Sequence, residues 1–190
     1  MKNFQDITVR VSAKIYQQLQ QIWQVGYDQS LFSYLDHTAL EAQQLAKQLN
    51  CEEAAQWIHL HPTKYSYAQP SGHWGLDTGK FDGTVVCQRI GEIGTTALTN
   101  VPRTCIQHSP NGHEWGYGGS GPADLALDIL NWFCPPAAHE KPVKCFKGFS
   151  SEVAWDLHQE FKREVIGQLH REGVTIKAET IRMWLINNQI

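Results

Sequence analysis

The stretch Ser109-Pro-Asn-Gly-His-Glu-Trp-Gly-Tyr-Gly-Gly-Ser-Gly-Pro-Ala-Asp-Leu-Ala-Leu127 passes from a glycine-rich run directly into an apolar helical pattern. Gly116, Gly118, Gly119 and Gly121 fall within six residues, a density that implies backbone at positive φ or in close approach to another group. Pro122 suits the first helical position, with Gly121 or Ser120 as the cap. The helix should reach about Phe133, where Pro135-Pro136 stops it. Uncompensated N–H groups at such a start suit phosphate or carboxylate, and Trp115 and Tyr117 are placed to stack on a base. The candidate ligand-binding residues are therefore Trp115, Tyr117, Gly118, Gly119, Ser120, Gly121 and His113. A structural role competes with this reading. Asp124, in the expected first turn, can satisfy the same N–H groups. The loop also lacks a P-loop lysine and matches neither the Walker A nor the dinucleotide spacing.

On the N-terminal side, residues 83–108 read as β structure, with Val85, Val86, Ile90, Ala97, Leu98, Val101, Cys105 and Ile106 between Gly and Pro breaks, and Gly91 with Gly94 as a turn. Residues 62–82 lose apolar periodicity and are expected to be a linker or long loop. Before them, Ile7, Val9 and Val11 alternate with Thr8, Arg10 and Ser12 as in a half-exposed strand. Ser12 is expected to cap a helix that ends at Gly26. A short helix is expected over 30–36. Thr38 with Glu41 forms a capping box for a helix over 39–49 with Leu40, Ala46 and Leu49 inward, and 51–59 extends it until Pro62. On the C-terminal side, a basic stretch, Lys141 to Lys147, leads to a helix from about Glu152 to His170, whose Leu157, Phe161, Val165 and Leu169 share a face. Gly173 then precedes a last helix carrying Ile181, Trp184 and Leu185. The expected fold is α+β: a small antiparallel sheet packed with helices, plus an N-terminal helical segment. The expected division is 1–61, 62–82 and 83–190.

The run from Trp115 to Leu127, preceded by Ser109-Pro-Asn-Gly, resembles the core motif of a domain family of unknown function that is common in phages and other mobile elements. The strands before it and the later Phe161-Lys162 and 181–185 helices are similar too, so the resemblance spans about residues 79–187. It implies a mobile-element accessory protein and carries no activity.

Two further patterns bear on nucleic acid. Thr8-Val-Arg-Val-Ser12, the amphipathic helix to Gly26 and Ser30-Leu-Phe-Ser-Tyr-Leu35 resemble a ribbon-helix-helix module over about residues 5–40. In that fold Thr8, Arg10 and Ser12 would read bases. The helix to His170, the turn Arg171-Glu-Gly-Val174 and the helix over 175–185 resemble a helix-turn-helix in outline, with Lys177 and Arg182 facing DNA.

Composition limits these options. The 190-residue chain carries a net charge of −3, which argues against nucleic-acid binding over the whole surface. The charge is uneven: residues 1–140 hold 8 basic and 13 acidic side chains, and residues 141–190 hold 8 and 6. Of 17 glutamines, 12 precede position 70, in the part that the family resemblance leaves outside as an extension. No apolar run spans a bilayer and no signal segment opens the chain, so a cytoplasmic location with five reduced cysteines is expected. His59-Leu-His61 and Cys134, His139 and Cys145 lack zinc-site spacing, so no metal or other cofactor is expected. No hydrolase elbow, zincin or kinase signature is present; His113-Glu114 is the one candidate acid–base pair.

The function these readings favour is a non-enzymatic accessory protein of a phage or plasmid. It would bind a host protein or nucleoprotein complex, in counter-defence of the anti-CRISPR kind. One alternative is a DNA-binding transcriptional regulator, compatible with a homodimer. Another is a nucleotide or small-anion binder, or a small enzyme, using the glycine-rich loop.

Overall fold

The computed structural model describes residues 8–32, 37–67, 74–90, 96–138, 140–188 and 190. It is α+β, and the chain divides into two compact units, one built from residues 8–77 and the other from 78–89 and 96–190.

The first unit starts with β1 (Val9–Val11), then α1 (Ala13–Asp28), α2 (Ala39–Gln48), α3 (Glu52–Leu60), α4 (Pro62–Tyr67) and β2 (Trp74–Leu76). Ser12 caps α1 by accepting the Ile15 N–H, and Thr38 with Glu41 forms the capping box of α2. Gly26 does not end α1. Its carbonyl accepts the Leu31 and Phe32 N–H groups, and a Cβ there would lie 2.1 Å from the Phe32 ring. The glycine serves close approach, and Ser30, at φ 56°, takes the left-handed position after the helix. Leu31 and Phe32 are not helical, and the rest of the helix expected at 30–36 falls on residues 33–36, outside the described ones. Leu40 is exposed rather than inward; Ala42, Leu45 and Ala46 form the buried face of α2.

Residues 62–82 differ most from expectation. Pro62 opens α4 instead of closing α3, because a first-turn residue needs no N–H partner. Residues 74–76 pair with β1 in parallel, Val9 opposite Trp74 and Val11 opposite Leu76. Trp23 donates its indole N–H to the Tyr65 hydroxyl at 3.0 Å. That hydroxyl also lies 2.5 Å from His37 Nε2, so the Tyr65 oxygen joins Trp23 and His37 in one hydrogen-bonded chain. Tyr16, Trp23, Trp57 and Trp74 pack edge-on or tilted around this chain. The glutamines also tie helices together: Gln18 Oε1 accepts the Ala54 N–H at 2.8 Å, filling an open donor at the start of α3.

The second unit centres on α5 (Ser120–Phe133), every residue of which from Gly121 to Leu130 is buried. A helix covered all round belongs in the middle of a core. Around it lie β3 (Val85–Ile90), β4 (Thr96–Thr99), the hairpin β5 (Val143–Lys144) and β6 (Phe149–Ser150), α6 (Glu152–Glu164), β7 (Gly173–Ile176) and α7 (Ala178–Asn187). The strand order is β4-β3-β7, with β3 and β7 antiparallel from Val85–Ile176 to Gln88–Gly173. Residues 101–105 lie outside the strands, and the turn expected at Gly91 and Gly94 falls outside the described residues.

Two expectations in this unit are corrected. The helix from Glu152 does not reach His170; α6 stops at Glu164 and a single 3-10 turn covers Ile166–Gln168. There the Ile166 carbonyl accepts the Gly116 N–H at 2.9 Å, so the glycine-rich loop takes a group that a continuing helix would use. The segment expected as the turn and start of a second recognition helix is instead β7, because residues 173–176 complete a ladder with β3.

Candidate functional site

The glycine-rich loop and α5 form the region where titratable groups converge. Gly119 is the N-cap of α5, no side chain caps it, and Pro122 occupies the third helical position rather than the first. Asp124 therefore lies beyond the first turn. Its carboxylate does not cap its own helix but turns to the preceding loop. Asp124 Oδ1 accepts from the Gln107 and His108 N–H groups at 3.2 and 2.8 Å, and Oδ2 from Ser109 at 2.9 Å.

One helical turn later Asp128 repeats the arrangement. Its Oδ1 accepts from Thr104 N–H at 2.9 Å, Thr104 Oγ1 at 2.6 Å and Cys105 N–H at 2.9 Å. Its Oδ2 accepts from His113 Nε2 at 2.8 Å. Both carboxylates are fully buried, and the donors around each replace the hydrogen bonds to water that burial removes. Arg103, also buried, closes the same loop by donating to the Ser109 carbonyl at 2.7 Å.

A second cluster lies on α6. His158 Nδ1 is 2.5 Å from the Trp155 carbonyl. A carbonyl only accepts, so Nδ1 carries the proton and, in the neutral ring, Nε2 carries the lone pair. That single lone pair has two neighbours within hydrogen-bond distance, the Gln159 amide at 2.8 Å, which can only donate, and the His108 Nε2 at 3.0 Å. Burial holds His158 below the usual histidine range, reinforced by His108 and Lys162 and opposed by the Trp155 carbonyl. Nearby, Cys105 donates its thiol proton toward Cys145. That bond and burial push Cys105 up, and the same bond pulls Cys145 down.

The expected ligand-binding residues separate into two sets. Trp115 is fully buried, donates its indole N–H to the His170 carbonyl at 3.2 Å, and lies under the Arg89 guanidinium, so no face is open to a base. His113 is turned inward onto Asp128, and Gly121 is buried with a would-be Cβ 2.6 Å from the Glu114 Cβ. Tyr117, Gly118 and Ser120 remain exposed, with Gly119 half-buried. The Tyr117 ring faces the Arg171 guanidinium at 5.6 Å. His113 and Glu114 do not pair with each other; Glu114 instead pairs with Arg89.

The expected base-reading residues have other partners. Ser12 is a helix cap, Arg10 donates to the Leu76 carbonyl at 3.3 Å, and β1 pairs with β2 of its own chain. The antiparallel strand partner that a ribbon-helix-helix takes from a second copy is thus not what β1 uses here. Lys177 precedes α7, and Arg182 lies 3.7 Å from Glu179 and over the Phe133 ring.

Sequence reasoning missed Asp128, Arg103 and His158. The signal for the first was present: Asp124 and Asp128 recur four apart in an otherwise apolar helix, and a carboxylate on a buried face requires donors from elsewhere. Among the described residues no group of three or more His, Cys, Asp or Glu side chains could hold a metal ion. No described helix is long and apolar enough to cross a membrane.

Residues 78–148 match a family of unknown function (DUF6166). The match takes in β3, β4, the glycine-rich loop, α5 and β5, and ends before α6. Neither a curated protein nor a solved structure matches the chain.

Proposed function

We propose that this protein is a non-enzymatic binding protein, an accessory factor of a phage or plasmid whose partner is a host protein or nucleoprotein complex. The observation that supports a binding role is the internal use of the motif's acids and bases. Asp124 receives three backbone N–H groups, and Asp128 receives four donors, including His113. Glu114 is paired with Arg89. A general acid or base must exchange protons with a bound substrate, and these groups spend their capacity on holding residues 104–113 in place. The result is a stiff scaffold with an exposed Tyr117–Gly118 tip. The mobile-element setting, and counter-defence as the action, rest on the resemblance of the 109–127 motif rather than on geometry.

The test is gel filtration of tagged protein after incubation with host-cell lysate. The expected result is co-elution with a partner at well above the 21.6 kDa of the chain. Elution of the protein alone from every host fraction would overturn the reading.

A further inference from the structure

The β5–β6 hairpin holds an aromatic ring in solvent on a fixed support. Phe146 is 77% exposed and Phe149 38% exposed. The backbone beneath them is anchored at several points. Lys147 exchanges both backbone hydrogen bonds with Ile106, at 2.8 and 2.9 Å. The Phe146 N–H donates to Gln107 Oε1 at 3.0 Å, and Asn131 donates to the Phe149 carbonyl at 3.0 Å. Gly148, at φ 80°, lets the turn lie against the Thr104 carbonyl, which a Cβ would approach to 2.3 Å. Thr104 and Cys105 are themselves pinned by Asp128. A hairpin so constrained loses little freedom on binding, the condition under which an exposed ring contributes most to affinity.

Along the hairpin, residues 141–150, the charge has one sign. Lys141, Lys144 and Lys147 are exposed, and none forms an ion pair among the described residues. Residues 141–150 contain no Asp or Glu, although the chain as a whole carries −3.

We propose that the β5–β6 hairpin is a docking surface for single-stranded nucleic acid, with Phe146 and Phe149 as stacking platforms and Lys141, Lys144 and Lys147 facing the phosphates. Successive bases stack on flat rings with little sequence preference, and mobile ammonium groups track the backbone. A carboxylate-rich peptide would favour the planar fork of arginine, which the hairpin lacks. A lipid surface would favour a wider apolar face than one protruding ring with its neighbour. This surface deepens the binding reading by giving the partner a chemistry, that of the nucleic acid in a nucleoprotein complex.

The test is fluorescence anisotropy with labelled dT12 and U12 oligonucleotides at low salt, using the full chain. Saturable binding is expected, falling with log salt at a slope of about −2 for three lysine contacts. Phe146→Ala should weaken binding about five- to a hundredfold, and Lys144→Glu/Lys147→Glu should abolish it. Both changes lie at exposed positions, and an unchanged thermal midpoint verifies the fold. Absence of binding would overturn the proposal, as would full affinity in Phe146→Ala. Equal competition by poly-glutamate, or binding only to anionic phosphatidylserine vesicles, would also overturn it. Failure here together with a captured protein partner would remove the hairpin surface and leave the binding reading standing.

Discussion

In residues 8–77, helix is joined to helix mostly through ring packing and single side-chain hydrogen bonds, such as Trp23 to Tyr65 and Gln18 to Ala54. In residues 78–190, a helix is joined to irregular backbone through two buried carboxylates that together receive seven donors. The contrast follows from what each unit must hold. Regular helices satisfy their own backbone and need only apolar contact. The path from Val101 to Gly119 has almost no ladder of its own, so its N–H groups must find partners elsewhere. An anion on the neighbouring helix can collect several of them at once. The motif therefore supports a loop of fixed shape, whereas the N-terminal unit rests on shape-matched rings.

Three measurements test that contrast. Asp128→Ala should be the most damaging, because it strands the Thr104 and Cys105 donors and leaves His113 without its acceptor. A loss of about 3–5 kcal/mol is expected in urea unfolding, with Asp128→Asn intermediate. A loss below about 1 kcal/mol, the worth of one ordinary hydrogen bond, would show that packing alone holds the loop.

Gly26→Ala probes the packed unit. The added methyl meets the Phe32 ring, so a loss of about 1–3 kcal/mol is expected from overpacking. Phe32→Ala should largely relieve it in the double mutant. Additive losses would mean that Gly26 is not there to admit the ring.

The smallest effect is the pH dependence of His158. The unfolded chain carries this group at the usual histidine value of about 6.5, whereas the folded value is lower. On acidification the unfolded state takes up the proton first. The contribution of the neutral ring is therefore complete above the unfolded value and is lost as pH falls from there toward the folded one. Thermal midpoints between about pH 7.5 and 5 should fall more steeply in the wild type than in His158→Gln. Parallel profiles would remove His158 from the account.

The caps were legible because they are local. Ser12, and Thr38 with Glu41, act within three residues of themselves, and the structure places each as its spacing indicates. The extent of α5 was nearly as plain, since apolar residues continue to Phe133 and Pro135-Pro136 follows. The glycine cluster marked close approach, and the Gly121 contact with Glu114 shows it. What it approached could not be read. Trp115 looks like a stacking residue until the His170 carbonyl and the Arg89 guanidinium are found around it. The three-residue β2 carries no periodicity to detect, and its identity as a strand depends on Val9 and Val11 more than sixty residues earlier.

The sequence by itself thus determined the α+β class, the starts of α1, α2 and α6 and the special status of residues 109–127, because propensity, capping and periodicity act over a few residues. The tertiary structure alone decided that Asp124 and Asp128 point at the loop rather than at their own helix, that 173–176 is a strand, and that the hairpin presents Phe146 to solvent. Each of those depends on which distant backbone groups lack partners, and that is settled only when the chain has closed on itself.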